Sequence, residues 1–226
     1  MQKSIWENEY KKKRLVTGHD KPQSFFLKFL KYLKKEKKVC LRGLNVLDLG
    51  SGTGRNANYL AEKGATVAGI EISKTAIDEA KKRAEKLDIK VNYLKENIGS
   101  KYSFEKDTFD LIIDVTSSNS LNEKEREIYL KEVSRVLKND GIFFVRALCK
   151  DGDKNAKTLL KNNHGKEKDT YIMPETNIVE RVFSKKDFVE MYSKYFKILK
   201  MEKIESYSTV GDRVFKRKFW LVIMKN

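Results

Sequence analysis

The sequence predicts an α/β fold: a mostly parallel seven-stranded sheet with helices on both faces, ending in a C-terminal antiparallel hairpin. Two observations lead there. From residue 44 onward, short apolar runs alternate with segments of helical periodicity, the pattern of βαβ units with right-handed crossovers. Near the C-terminus two apolar runs follow one another with no helix between them, and strands joined by a short turn pair antiparallel.

The elements follow in order. Phe25, Phe26, Phe29, Leu30 and Leu33 recur at helical spacing, with Lys28, Lys31, Lys34 and Lys35 pointing elsewhere, so this helix packs on its own domain; docking on a membrane surface is the alternative. Asn45–Leu49 reads as a buried strand, and residues 55–63 as a helix ended by Gly64 at a left-handed cap. Thr66–Glu71 is a second strand, and Ser73 caps a helix reaching to about Leu87. Residues 89–94 and Phe109–Val115 are further strands, followed by a helix over 122–137. Asn139-Asp140-Gly141 then turns the chain into a strand over 142–148. Ser184 opens a helix carrying Phe188, Val189, Tyr192 and Phe196, and residues 198–204 and 218–224 form the final hairpin.

A length of 226 residues, 40% hydrophobic and 35% charged, suits one globular domain. Within it we distinguish an N-terminal helical cap (1–43), a core (44–149), an insertion (150–183) and a C-terminal helix with two strands (184–226). No apolar run approaches the roughly 20 residues that cross a bilayer, and the first residues lack a secretory signal, so a soluble cytoplasmic protein is expected, with no membrane insertion. Cys40 and Cys149 stand far apart in no metal-binding pattern and read as free thiols; no metal is expected. The formal charge of +16 is compatible with a nucleic-acid partner, but lysine is spread through every segment, which favours a generally basic surface.

The stretch Asp48-Leu49-Gly50-Ser51-Gly52-Thr53-Gly54-Arg55-Asn56 carries the chemistry. A strand runs into three alternating glycines and then a helix, so bare backbone approaches a ligand at the carboxyl edge of the sheet; a tight turn with no ligand is the alternative. The next strand ends in Gly69-Ile70-Glu71, where a carboxylate accepts hydrogen bonds from ribose hydroxyls, which points to an adenosine-containing ligand. Dinucleotide sites use G-x-G-x-x-G facing a pyrophosphate. Here the spacing is G-x-G-x-G, and Asp48, two residues earlier, is unwelcome beside a pyrophosphate yet suited to an ammonium group.

Together with Gly69-Ile70-Glu71-Ile72-Ser73, Phe104-Glu105-Lys106-Asp107-Thr108-Phe109-Asp110-Leu111-Ile112 and Arg135-Val136-Leu137-Lys138-Asn139-Asp140-Gly141, this motif resembles the ordered blocks of class I S-adenosylmethionine-dependent methyltransferases, over roughly residues 45–145. The resemblance implies a Rossmann-like sheet and S-adenosyl-L-methionine as cofactor. It places Gly50, Gly52 and Gly54, with Ser51 and Thr53 between them, under the methionine part, and Asp48 nearby. Glu71 would take the ribose and Ile72 the adenine. Asn97 and Ile98 stand where the family commonly has an acid and an apolar residue beside adenine; Asn97 departs from that pattern and is alternatively a turn cap. Asp114 would lie near the amino-acid end.

No catalytic base is assigned, because aligning a nucleophile with the methyl group and excluding water can supply roughly 7–11 kcal/mol of barrier reduction. Substrate-side candidates are Asp114, Thr116 and Asn119 after the fourth strand, Arg146 after the fifth and His164 in the insertion, with Glu180 also in or after that segment. The insertion and the N-terminal segment around Trp6, Tyr10 and His19 are expected to cover the site as a lid. Arg146, Arg181 and Arg213 are candidates for an anionic substrate, with salt bridging as the alternative. The leading expectation is methylation of a small-molecule acceptor. The alternatives are an RNA or protein methyltransferase, a non-catalytic cofactor-binding protein and, weakest, a nicotinamide-dependent oxidoreductase.

Overall fold

The computed structural model describes residues 2–12, 20–210 and 213–226, with only the backbone at 208–210 and 213. Seven strands form one sheet: β1 (Asn45–Leu49), β2 (Thr66–Glu71), β3 (Asn92–Lys95), β4 (Phe109–Val115), β5 (Leu137–Leu148), β8 (Lys197–Val210) and β9 (Arg213–Lys225). Their order is β3-β2-β1-β4-β5-β9-β8, parallel through β5, with β9 antiparallel to both neighbours. The expected hairpin is present and longer than the sequence suggested. A small separate sheet pairs β6 (Thr170–Ile172) with β7 (Val179–Arg181).

Alternation along the strands buries both faces. Val46, Leu111, Ile113 and Phe144 meet helices α2 (Ser24–Glu36), α3 (Arg55–Glu62) and α4 (Lys74–Lys86) on one side. Leu47, Ile112, Phe143 and Val145 meet α5 (Glu123–Val136) and α7 (Lys185–Tyr192) on the other. The aromatic stripe of α2 is core, as expected: the Phe29 ring stacks on Phe144 at 4.0 Å between centroids. The Ser73 hydroxyl accepts from the Ala76 N–H to start α4, and Asn122 and Glu125 form a reciprocal capping box at the start of α5.

Four details differ from the sequence reading. Residues 139–141 make no turn: α5 passes directly into β5, where Leu137 pairs with Phe109 and the next pairing is Leu111 with Ile142, so the extra residues form a bulge. The helix α7 stops at Tyr192, short of Phe196. The helical cap expected over 1–43 includes, besides α2, a first helix whose bounds the sequence reading did not give, α1 (Gln2–Lys12), which lies against α4. Within the insertion, α6 (Lys154–Asn162) packs beside β9 and β6.

Because strand order reverses between β1 and β4, a crevice opens at the carboxyl ends of these two strands. The α2 stripe is the main apolar link holding the N-terminal segment to the sheet. Phe29→Ala should therefore cost about 3–5 kcal/mol, read as a lower urea midpoint at unchanged slope.

Candidate active site

The loop after β1 is drawn onto the end of β2 by backbone bonds: the Gly50 and Ser51 N–H groups donate to the Ile70 carbonyl at 2.8 and 3.0 Å. Glu71 completes the attachment, one carboxylate oxygen accepting from the Gly52 N–H at 3.0 Å and the other from the Ser73 N–H at 2.8 Å. Gly50 and Gly52 both have φ in the left-handed region, which the loop's course requires. A methyl group on Gly52 would lie 2.8 Å from the Tyr10 hydroxyl, and one on Gly50 would strike the Ser117 side chain.

Above this loop lies a cavity of about 460 Å³. Its wall includes Asp48, Gly50, Ser51, Gly52, Thr53, Glu71, Ile72, Asn97 and Ile98 from the sequence-predicted set, and Thr116 from the substrate-side candidates. Its roof is α1, through Gln2, Lys3, Trp6 and Tyr10. The roof is fastened by Glu7, whose carboxylate accepts from the hydroxyls of Ser73 and Thr75, both at 2.7 Å, at the N-terminus of α4. Burial pushes the Glu7 carboxyl up, but these bonds outweigh it and hold it down to about 2.

The floor is acidic. Asp48 is 2% exposed and its Oδ2 has no partner. Burial raises its pKa to about 7, the neighbouring Asp114 carboxylate adding to the effect and the Ala57 N–H opposing it. Burial also raises Glu71, against the bonds it receives from the Ser73 and Gly52 N–H groups. The Ser51 hydroxyl is likewise buried without a partner.

Several expected residues stand elsewhere. Gly54 is absent from the cavity wall; a methyl there would strike the Tyr93 hydroxyl and lie 2.9 Å from the Ala80 methyl, so its bareness serves packing of β3 and α4. Asp114 faces inward, where it accepts from the Ser117 N–H at 2.8 Å and the Tyr129 hydroxyl at 2.6 Å; its role is to hold the turn after β4. Asn97 is on the wall but also acts as the turn cap, accepting from the Gly99 N–H at 2.9 Å and donating to Glu125 at 3.1 Å. Asn119 is buried behind the wall, accepting from the Leu148 N–H at 3.1 Å. Arg146 is also behind it, donating to the Thr116 hydroxyl at 2.9 Å.

His164 is exposed in the insertion, its backbone bridging to Tyr171, and none of residues 150–183 lines the cavity. The insertion is thus no lid over this cavity: its own apolar residues pack with Leu148 and Phe219. Glu180 accepts from the Tyr171 hydroxyl at 2.7 Å, and Arg181 is buried 3.8 Å from Glu123. His19 lies outside the described residues, as does the Arg213 side chain. Gln2, Lys3, Arg55, Ser117 and Leu121 line the cavity without having been singled out. The spacing of Gln2, Trp6 and Tyr10, one helical face at intervals of four, was the available signal for the roof.

A methyltransferase-domain family model matches residues 46–141. An uncharacterised methyltransferase of Schizosaccharomyces pombe is 32% identical over 132 residues, covering 54% of this chain and 90% of that protein. A ubiquinone biosynthesis O-methyltransferase of Pelagibacter ubique is 32% identical over 111 residues, 49% of this chain and 44% of its own length. Among solved structures, a SAM-dependent methyltransferase of Methanosarcina mazei superposes with a TM-score of 0.75 at 24% identity, covering 91% of this chain and 98% of that one. The 1,6-didemethyltoxoflavin-N1-methyltransferase of Burkholderia thailandensis, with that compound and S-adenosylhomocysteine bound, gives 0.71 at 16% identity, covering 100% and 87%. These two structures share the fold.

The buried Asp48 generates a stability prediction. The unfolded chain gives up this proton near the ordinary value of 3.8, whereas the folded chain keeps it to about 7. Between those values the folded state binds more protons, so this residue's contribution to stability falls as pH rises and levels off above 7. Asp48→Asn removes that loss. Urea unfolding at pH 4, 6 and 8 should show the variant gaining on wild type with rising pH, by an amount on the order of a few kcal/mol.

Proposed function

The chain belongs to the S-adenosylmethionine-dependent methyltransferases, and from that premise we propose that its acceptor is a small molecule taken into the cavity under α1. The observation that carries this reading is the roof: Trp6 and Tyr10 close the space above the Gly52 loop, leaving a volume in the range of small-ligand pockets. Names among the relatives support it, since ubiquinone biosynthesis and 1,6-didemethyltoxoflavin both denote small-molecule chemistry. An RNA or protein acceptor would instead have to present one residue through that roof.

The residues present fit the cofactor. S-adenosylmethionine supplies an electrophilic methyl group on a sulfonium, beside an ammonium, a carboxylate and an adenosine. The unpartnered Oδ2 of Asp48, on a floor that Asp114 and Glu71 make negative, suits a cationic ligand and disfavours a pyrophosphate. Glu71 accepts from the Gly52 and Ser73 N–H groups, and a carboxylate offers about four lone-pair sites, so it retains capacity to accept from a ribose hydroxyl. In this reading Gly50, Ser51, Gly52 and Thr53 form the bed of the amino-acid part, and Ile72, Asn97 and Ile98 flank the base. Asp114 acts behind them by fixing Ser117 and Ser118.

The protein's part in transfer is then to orient the acceptor and exclude water. A roof held by Glu7 at Ser73 and Thr75 does the second, and the wall at Thr116 contributes to the first. No wall residue has to remove a proton if the acceptor arrives as an anion.

Two measurements test this. S-adenosylhomocysteine should bind about tenfold more tightly as pH rises from 6 to 8, most of the gain falling below 7, because Asp48 must ionise to meet the ammonium; calorimetry should show that dependence flattened in Asp48→Asn. Incubation with labelled cofactor and a fractionated cell extract should label the small-molecule fraction, and label confined to RNA or protein would overturn the proposed acceptor class.

A further inference from the structure

Thr116 is β-branched yet has φ +70, where such residues are rare, and it stands on the cavity wall directly after β4. Both of its polar attachments go to one residue: its N–H donates to the Arg146 carbonyl at 2.9 Å, and its hydroxyl accepts from Arg146 Nη1 at 2.9 Å.

Arg146 is itself unusual. It is 5% exposed, its guanidinium lies 3.4 Å from the Phe219 ring centroid and 4.6 Å from that of Phe25, and its Nε has no partner. It forms no ion pair among the described residues, although a buried guanidinium ordinarily needs one. Burial, then the nearby Arg55 and Arg217, push its pKa down to about 9. Arg217 is matched by Asp153 at 3.3 Å, but Arg55, which lines the cavity, donates to the neutral Gln23 at 3.3 Å. Arg55 still lies near enough to Asp48 for each to shift the other's pKa, so the charge left without a counter-charge behind this part of the wall is that of Arg146.

The Arg146 charge acts through the Thr116 hydroxyl. A guanidinium only donates, so it occupies an acceptor position on the Thr116 oxygen, and the hydroxyl keeps its own hydrogen to give. Among the described residues no hydrogen bond takes it. A hydroxyl that receives a bond from a cation is a stronger donor than an isolated one, and Thr116 is one of the residues lining the cavity.

We propose that Thr116, held and polarised by Arg146, is a specificity-determining residue that selects an acceptor presenting an anionic oxygen, as a carboxylate or phenolate, to its hydroxyl. This rests on the small-molecule reading above. The anion supplies the counter-charge that Arg146 lacks, and the aromatic roof of Trp6 and Tyr10 suits a ring bearing it.

The probes are benzoate and its neutral isostere benzamide, titrated by calorimetry into the full chain saturated with S-adenosylhomocysteine. Wild type should prefer benzoate at least tenfold. Thr116→Val and Arg146→Met should abolish the preference, and Thr116→Ser should keep it, with circular dichroism confirming each fold; Thr116→Val carries the test should Arg146→Met fail to fold. Equal binding of both probes by wild type, or a preference that survives Thr116→Val, overturns the proposal while leaving a small-molecule acceptor in place. Binding of neither probe removes that reading and the proposal together. Loss of S-adenosylhomocysteine affinity in Thr116→Val with benzoate preference intact would assign the hydroxyl to the cofactor's carboxylate and overturn the acceptor assignment.

Discussion

The site depends on one carboxylate serving two backbone donors. Glu71 takes the Gly52 N–H with one oxygen and the Ser73 N–H with the other, so the loop after β1 and the start of α4 are positioned by the same group. Ser73 passes the constraint on: its hydroxyl accepts from the Ala76 N–H and donates to Glu7, which also receives the Thr75 hydroxyl. Loop, helix start and roof thus share one buried network. Such a network is unforgiving, because each member left without its partner would bear the desolvation cost of a buried polar group.

Charge is divided across the cavity. Asp48, Glu71 and Asp114 lie on the side of β1, β2 and β4, with an unpartnered oxygen on Asp48. Arg146 stands behind the wall at the other side and forms no ion pair among the described residues, while Arg55 lies between, near enough to Asp48 to feel its charge. Unmatched groups of both signs are costly in a folded chain. A ligand set that brought a cation to Asp48 and an anion to Thr116 would relieve both costs.

Much of this was legible in the sequence, for definite reasons. The strand, the left-handed glycines and the acid at the end of the second strand are local requirements, and residues 45–71 fold as their spacing predicts. The α2 stripe and the caps at Ser73 and Asn122 are equally local. What could not be read depends on partners far along the chain. The helix α1 has no strong apolar face and is held by Glu7 meeting Ser73 and Thr75, some 66–68 positions away. Asp114 was expected to face a ligand; the Tyr129 hydroxyl from α5, with the Ser117 and Ser118 N–H groups, holds its carboxylate inward. Gly54 looked like part of the ligand bed, but Tyr93 of β3 claims its space. The bulge at the start of β5 likewise follows from Leu137 pairing with Phe109, a contact that no turn signal encodes.

The conformation of Thr116 ties the turn after β4 to Arg146 and to the cavity wall. A left-handed backbone there lets the N–H groups of Ser117 and Ser118 converge on Asp114, closing the turn that carries Ser117 against Gly50. Glycine would adopt that conformation without the cost of order 1–3 kcal/mol borne by a β-branched residue. The turn alone therefore does not call for threonine. What threonine adds is a hydroxyl fixed by Arg146 at the cavity wall, and the strain is offset by the bonds that Arg146 and Asp114 make around it. A side chain held at such cost beside the reacting space is best understood through what it presents to a ligand.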